Sequence, residues 1–405
     1  MASQENGFLL YLRSQYAFTD GRLMRYLSFM RQRHLPYKVF CWDRSSKSKT
    51  DLADDPRIEY YGVAAQTGGR YANAFKLIAW NVAIFRYCVK HRGQIKKIHC
   101  ADFDSVLPCF LFARLWSVPL IFDSYDRYSD SRLIKKPVKL LVDWLESYIL
   151  QQASTAILPA QGRIEQYKLK ETSNLLIIEN VPLFTAKQPA TSAVQDKKLE
   201  LVFQKMRNSS SDYRAVLSYV GILEPVSRGL EHLLASVAKT PDILLVVAGD
   251  GPLRTMVEDA AEKSENIHYV GAVDYQLAES LMASSDLHIG LYYLNNPNHR
   301  YAAPNKYYEH LYFGKPLLTS KNTPPGRLVE QHATGFTVAD GEVDLLGFLE
   351  NLSPDELSQA GQRARNYWIK NYENYNLEIF SKAYASAVSG LTTTTEAFSM
   401  NDRQP

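Results

Sequence analysis

The sequence has no long apolar run. Its opening stretch, MASQENGFLLYLRSQ, holds only a five-residue one, Phe8 to Leu12. That is too short for a secretory core or a bilayer span, and no later run reaches spanning length. Cysteine is scarce. Cys41, Cys88, Cys100 and Cys109 follow neither a metal-site nor a redox spacing, so they read as buried thiols in a reducing compartment, and the chain is expected in the cytoplasm. No G-x-G-x-x-G follows a predicted strand, which leaves a dinucleotide-dependent oxidoreductase without support. The second half has no Asp-x-Asp pair to hold a metal against a diphosphate.

What is present is a chain of 405 residues, 46% apolar, enough for two or three domains with sizeable cores. The net charge of +3 is unevenly spread. Residues 1–182 carry 26 Lys and Arg against 17 Asp and Glu, hence +9; the remainder carries 20 against 26, hence −6. A basic first half suits an anionic partner such as lipid headgroups or a phosphorylated acceptor, and equally a solvated surface of mixed charge. Nucleic acid is not expected, because no recognised binding motif accompanies the charge.

Short apolar runs alternate with helix-length segments along the whole chain. Examples are GFLLYLR, YKVFCW and PLIFDSYD in the first half, and AVLSYVGIL, DILLVVAGDG and LHIGLYYL in the second. Continuous apolar strands alternating with helices indicate parallel sheets covered on both faces. Two such series predict an α/β protein of two Rossmann-like domains facing a cleft. The expected organisation is a first domain over 1–184, a linker and surface excursion over 185–213 with one helix at Lys197 to Arg207, and a second domain over 214–368. A C-terminal helix over 369–390 is expected to return to the first domain, and a disordered tail to follow over 391–405. Ligands of such sheets bind beyond the carboxyl ends of the strands, so the loops after the strands should carry the chemistry.

Five stretches qualify. PNKYYEHLYFGKP reads as a short helix, with Asn305 at its start, an apolar stripe of Tyr308, Leu311 and Tyr312, and Gly314 and Pro316 at its stop. Lys306 in its first turn and Glu309 one turn later would set a cation and a hydroxyl acceptor at a helix N-terminus, an anion-binding position; alone they are an exposed charge pair. In GILEPVSRGLEHLL, Gly221 ends a strand and Arg228-Gly229 opens a helix, where a guanidinium grips phosphate bidentately. VVAGDGPL places Gly249, Asp250 and Gly251 in a strand-to-helix turn, structural in itself or lying against a nucleotide base. FDSYDRYSD brings Asp123, Tyr125 and Asp126 after a strand of the first domain, where they would face the cleft or, for an Asp before a helix, serve as an N-cap. IHCADFDS adds Asp102 or Asp104 as a helix cap and His99 as a packed core residue.

The order and spacing of Arg228-Gly229, Gly249 to Pro252, YVGAV, ASSDLHIGLYYL, PNKYYEHLYFGKPLL and ATGFTV resemble the donor-binding domain of the GT-B glycosyltransferases of group 1, or family 4, over about 212–345. The chain is most similar to bacterial members that build surface polysaccharides. The resemblance implies a hexosyltransferase that is retaining and uses a UDP- or GDP-linked sugar, with no resident cofactor. Gly221, Arg228, Gly249, Asp250, Gly251, Lys306 and Glu309 would bind the donor: Arg228 and Lys306 at the diphosphate, Glu309 at the ribose. Asp126, Arg228 and Lys306 are the expected catalytic residues. With two cations and a helix dipole available, transfer is expected to need no metal. Two positions depart from the family: Ile222 stands where an arginine is frequent, and Tyr301 where a second glutamate is frequent.

The segment SRLIKKPVKLLVDWLESYIL sets Lys135, Lys136 and Lys139 beside leucines and Trp144. It reads as a contact for a lipid-linked oligosaccharide at the inner membrane surface, or as a helix packed on its sheet with solvated lysines. The alternatives to transfer are a non-catalytic GT-B scaffold subunit, which the missing acid at Tyr301 favours, and a nucleotide-sugar epimerase, which would need no acceptor.

Overall fold

The computed structural model describes residues 7–17, 20–44, 55–65, 74–170, 174–184, 197–207 and 213–391. The chain divides into two compact units, Met1–Glu179 with Asn376–Pro405, and Asn180–Tyr375. The disordered tail expected over 391–405 falls outside the described residues from 392 on, as do 185–196 and 208–212 of the expected linker.

In the first unit seven strands form one parallel sheet. They are β1 (Phe8–Arg13), β2 (Tyr37–Trp42), β3 (Ile58–Tyr61), β4 (Ile95–Ala101), β5 (Leu120–Asp123), β6 (Thr155–Leu158) and β7 (Leu175–Ile177), in the order β3-β2-β1-β4-β5-β6-β7. The helices Gly21–Gln32, Ala74–Lys90, Phe103–Trp116 and Val138–Gln152 connect them. Strand order reverses between β1 and β4, which opens a crevice at their carboxyl ends. One core face joins Leu10, Leu12, Phe40, Trp42, Trp80 and Phe112. The C-terminal helix Ser381–Ala387 belongs to this unit: Tyr384 Oη lies 2.8 Å from His99 Nδ1, and Lys97 Nζ donates to the Ala387 carbonyl at 2.7 Å.

The second unit repeats the plan with β8 (Ala215–Val220), β9 (Ile243–Ala248), β10 (Ile267–Gly271), β11 (Leu287–Gly290), β12 (Leu317–Ser320) and β13 (Gly335–Val338). Their order is β10-β9-β8-β11-β12-β13, all parallel, with the reversal between β8 and β11. The apolar runs of β8 and β9 are buried on both faces, as continuous apolar strands must be. Alternate residues divide between two cores. Leu217, Tyr219, Leu245 and Val247 join one, and Val216, Leu244, Val246 and Ala248 the other.

The helix Lys197–Arg207 forms where the sequence predicts one, but it is no surface excursion. Val202, Phe203 and Met206 lie along one side of it and cover the second core face, so the apolar stripe docks it on the sheet. Residues before it also pack in this unit. Phe184 stacks on Tyr312 with ring centroids 3.6 Å apart, and Asn180 Nδ2 donates to the Ala303 carbonyl at 2.7 Å. No helix among the described residues is long and apolar enough to cross a membrane. All four cysteines are buried and unpaired.

Candidate active site

The helix Asn305–Phe313 faces the crevice of the second sheet. Pro304, not Asn305, occupies its cap position, and no side chain caps its free N–H groups. Asn305 is the first helical residue, because the proline before it holds the extended backbone from which a helix starts. Gly314 closes the helix in the left-handed conformation, and Tyr308 and Leu311 anchor it in the core.

This placement carries Lys306 over the switch point. Its ammonium donates to the carbonyl of Val220, the last residue of β8, and lies 5.4 Å from the centroid of the Tyr219 ring. A Cβ on Gly221 would stand 3.8 Å from its Nζ, and one on Gly290, the last residue of β11, 3.2 Å from its Cδ. Lys306 therefore bridges the two strands between which the sheet order reverses. Burial lowers its pKa to about 8; the nearby Glu309 carboxylate opposes that shift and the Arg228 charge reinforces it.

Arg228 comes from the loop after β8. Its guanidinium packs over the Tyr292 ring at 4.9 Å, and its Nε donates to Glu224 at 3.1 Å. Burial alone would lower its pKa, yet Tyr292 and Glu224 leave it raised, so the charge is permanent. Gly229 starts the helix Leu230–Ala238 at φ +60°, again without a side-chain cap. A Cβ there would meet the Tyr293 ring at 2.6 Å. Glu309, one turn after Lys306, forms no hydrogen bond or ion pair among the described residues. Burial raises its pKa, Lys306 draws it down, and buried Glu279 pushes it up again. A carboxylate beside the Lys306 ammonium, with no hydrogen bond of its own among the described residues, is equipped to accept ligand hydroxyls.

The turn after β9 closes one side. Gly221 donates to the Ala248 carbonyl at 2.9 Å, and Leu223 to that of Asp250 at 3.0 Å. Gly249 adopts φ +142°, and a Cβ on it would fall 1.8 Å from the Gly221 carbonyl oxygen. Gly249→Ala should therefore cost about 1–3 kcal/mol in backbone strain alone and part the two loops. Its urea midpoint should drop; an unchanged midpoint would mean that the loops do not meet this closely. Asp250 is exposed and accepts from the Gly251 N–H at 2.9 Å.

The structure thus gathers Gly221, Arg228, Gly249, Gly251, Lys306 and Glu309 at one crevice, with Asp250 at its rim. Sequence reasoning assigned no role to Tyr219, Tyr292 or Glu279. Tyr219 lies within the apolar run of β8 and Tyr292 two residues past β11, so both read as core, and Glu279 sits on an ordinary amphipathic helix. Of the residues flanking the Tyr301 position, His299 is buried with its Nδ1 2.8 Å from the Tyr293 carbonyl, whereas Arg300 is exposed.

In the first unit the corresponding crevice is occupied by its own ion pairs. Arg13, at the end of β1, binds Asp20 and Asp102, and packs over Tyr125 at 4.3 Å. Asp102 holds the helix cap position, but its side chain accepts from the Tyr125 N–H instead of capping. Asp104 is buried and accepts from Arg44 and Arg132, each at 2.9 Å. Asp123, grouped in sequence with the cleft-facing residues, is fully buried. It receives Arg22 at 2.8 and 3.0 Å and Tyr26 at 2.7 Å, because the strand extends through it. His99 is buried beside it, as a core residue should be. Asp126 is exposed, with Arg163 at 2.6 Å. Lys135 and Lys136 point to solvent, but Lys139 turns inward to Ser129, Asp130 and Asp143.

Residues 203–371 match the model of glycosyl transferases group 1. The second unit carries a group 1 glycosyltransferase domain. It contains the whole crevice just described. Over the full chain, the fold is that of the GT-B enzymes. HepE of Anabaena, in a complex with UDP and glucose, aligns over 94% of this chain and 100% of its own, at 13% identity and a TM-score of 0.67. WaaG, a glycosyltransferase involved in lipopolysaccharide biosynthesis, aligns over 95% and 100%, at 15% identity and a TM-score of 0.62. A sucrose-phosphate synthase from Thermosynechococcus elongatus aligns over 94% and 100%, at 14% identity and a TM-score of 0.64. No curated protein matches the chain in sequence. Lys306 and Arg228 both lie within the matched residues, at the switch point of this doubly wound sheet.

Proposed function

We propose that the protein is a retaining, metal-independent hexosyltransferase. It moves a sugar from a UDP- or GDP-sugar to a hydroxyl of a lipid-linked saccharide in surface polysaccharide synthesis. The observation that carries this reading is Lys306 at the end of β8 with the Arg228 charge acting on it, and Glu309 without a hydrogen bond one turn away. In the reaction the bond from the anomeric carbon to the diphosphate oxygen breaks, and its electron pair leaves with the diphosphate. The acceptor oxygen bonds to that carbon from the same face, and its proton passes to the departing phosphate oxygen. The two cations and the uncapped helix N-termini neutralise the charge that develops on the leaving group. Glu309 accepts the ribose hydroxyls. Asp126 is assigned to the acceptor hydroxyl or the donor sugar. UDP is favoured as carrier because HepE is known with UDP and glucose.

Calorimetric titration with UDP, GDP and ADP, without added metal, tests the reading. One nucleotide should bind in the micromolar range, and Arg228→Ala and Glu309→Ala should each weaken it about tenfold or more. The pH dependence has a definite sign. Lys306 has its pKa lowered to about 8, so it is mostly charged at pH 7 and loses charge as pH rises. Affinity should fall between pH 7 and 9, and a bound diphosphate, favouring the ammonium, should draw in a proton near pH 8. A flat profile would remove Lys306 from the phosphate site. Absence of binding by all three nucleotides would favour the scaffold reading, for which the observation is Tyr301 in place of an acid at the end of the turn Pro297–Tyr301.

A further inference from the structure

Three helices of the first unit lie side by side and are apolar on the side away from the sheet as well as toward it. Phe75, Ile78 and Val82 recur every three or four residues along Ala74–Lys90, and Phe75 is 85% exposed. On Phe103–Trp116 the exposed set is Leu107, Leu111 and Leu115, while Val106, Cys109 and Phe112 of the same helix fill the core. On Val138–Gln152 it is Leu140, Leu141 and Trp144. The stripes adjoin one another: the rings of Phe85 and Trp116 are 6.3 Å apart, and those of Phe110 and Tyr148 6.0 Å. A soluble helix that is apolar all round is normally buried, and an apolar patch spanning three helices marks an interaction surface.

Charge indicates the partner. None of the three helices presents an exposed carboxylate: Asp104 and Glu146 are buried, and Asp143 is paired with Arg127 and Lys139. Exposed Arg86, Lys90, Arg114, Lys135 and Lys136 lie on or beside the same helices. Leucine and aromatic side chains among cations, with no anions, match the boundary of an anionic bilayer, where acyl chains meet negative headgroups.

We propose that these three helices form a docking face for an anionic membrane surface. The face extends well beyond the Lys135–Lys139 segment and does not use Lys139, which is held by Asp130 and Asp143. The inference extends the lipid-linked acceptor of the proposed function, but it stands on the apolar face and the cations around it.

Flotation of the full chain with phosphatidylglycerol–phosphatidylcholine vesicles, and with phosphatidylcholine alone, tests it. The protein should float with the anionic vesicles and leave them as salt rises. Leu111→Gln/Leu115→Gln/Leu141→Gln alters only exposed side chains. It should reduce partitioning at least tenfold while UDP affinity and the melting temperature stay unchanged. Lys135→Gln/Lys136→Gln should reduce it roughly fivefold for each charge removed at low salt. Failure of the wild type to float, or flotation of the triple variant as efficient as the wild type, would overturn the proposal. So would a wild-type dimer that the triple variant turns into a monomer, since a second copy would then be the occupant. Loss of flotation with UDP binding intact bears on this face only, and loss of UDP binding with flotation intact bears on the transferase reading only.

Discussion

Lys306→Met should lower kcat by roughly 100- to 1,000-fold, the effect of removing one preorganised charge-stabilising group from an acyl-transfer site, about 2.7–4 kcal/mol. The ammonium is already desolvated and already positioned over the end of β8, so it does not reorganise when charge appears on the leaving diphosphate. Arg228→Ala should produce a loss of the same order, and the double variant less than the product of the two, because both groups meet the same charge. Glu309→Gln should behave differently. In the proposed function it holds the ribose and not the reacting phosphate, so its loss should raise KM and leave kcat within a few-fold. Turnover of the donor sugar, by transfer or by hydrolysis in the absence of acceptor, measures all four variants. If Lys306→Met changes KM alone, the ammonium contributes only uniform binding and the catalytic assignment is wrong.

The second large effect lies in the other unit. Asp123→Ala should destabilise it by about 3–5 kcal/mol, since it leaves the Arg22 guanidinium buried without its carboxylate. Arg22 donates twice to Asp123 and once to the Ile178 carbonyl at 2.7 Å, and both side chains are almost wholly shielded from water. Burial by itself would raise the Asp123 pKa, but Arg22 and His99 hold it well below the usual carboxylate range. A depressed carboxyl stabilises the fold above its unfolded pKa, and the contribution is lost only as pH falls through the folded value. The pair should therefore remain intact through mild acid. Urea unfolding followed by far-UV dichroism, beside nucleotide binding to the second unit, reads the effect. Arg22→Met/Asp123→Leu should recover much of the loss, because removing both charges removes the orphan. A cost below about 1 kcal/mol for Asp123→Ala would show that water reaches the pair.

Among the described residues, thirteen strands stand where apolar runs stand in the sequence, and that agreement has a simple cause. A strand buried on both faces needs an unbroken apolar run, and a run is a local property. The helix Asn305–Phe313 was legible for the same reason, since its stripe, its Gly314 stop and its two charges all lie within a few residues. So was the Gly249 to Pro252 turn. Where local signals compete, reading the sequence errs: Asn305 looked like the cap, but the backbone set by Pro304 takes that position. The segment Lys197–Arg207 looked like an excursion because polar residues surround it, yet Val202, Phe203 and Met206 dock it on the sheet.

Partners distant in sequence belong to the folded chain alone. Lys306 reaches the Val220 carbonyl because β8 and β11 are neighbours at the point where strand order reverses, and no spacing in the sequence records that adjacency. The same holds for Arg22 on Asp123, for Arg228 over Tyr292, and for three apolar stripes that become one face only when their helices lie side by side. Hydrophobic periodicity names the elements because each residue's burial follows from its own helix or strand. Which charges meet depends on which elements pack together, and that is settled by the free energy of the whole core.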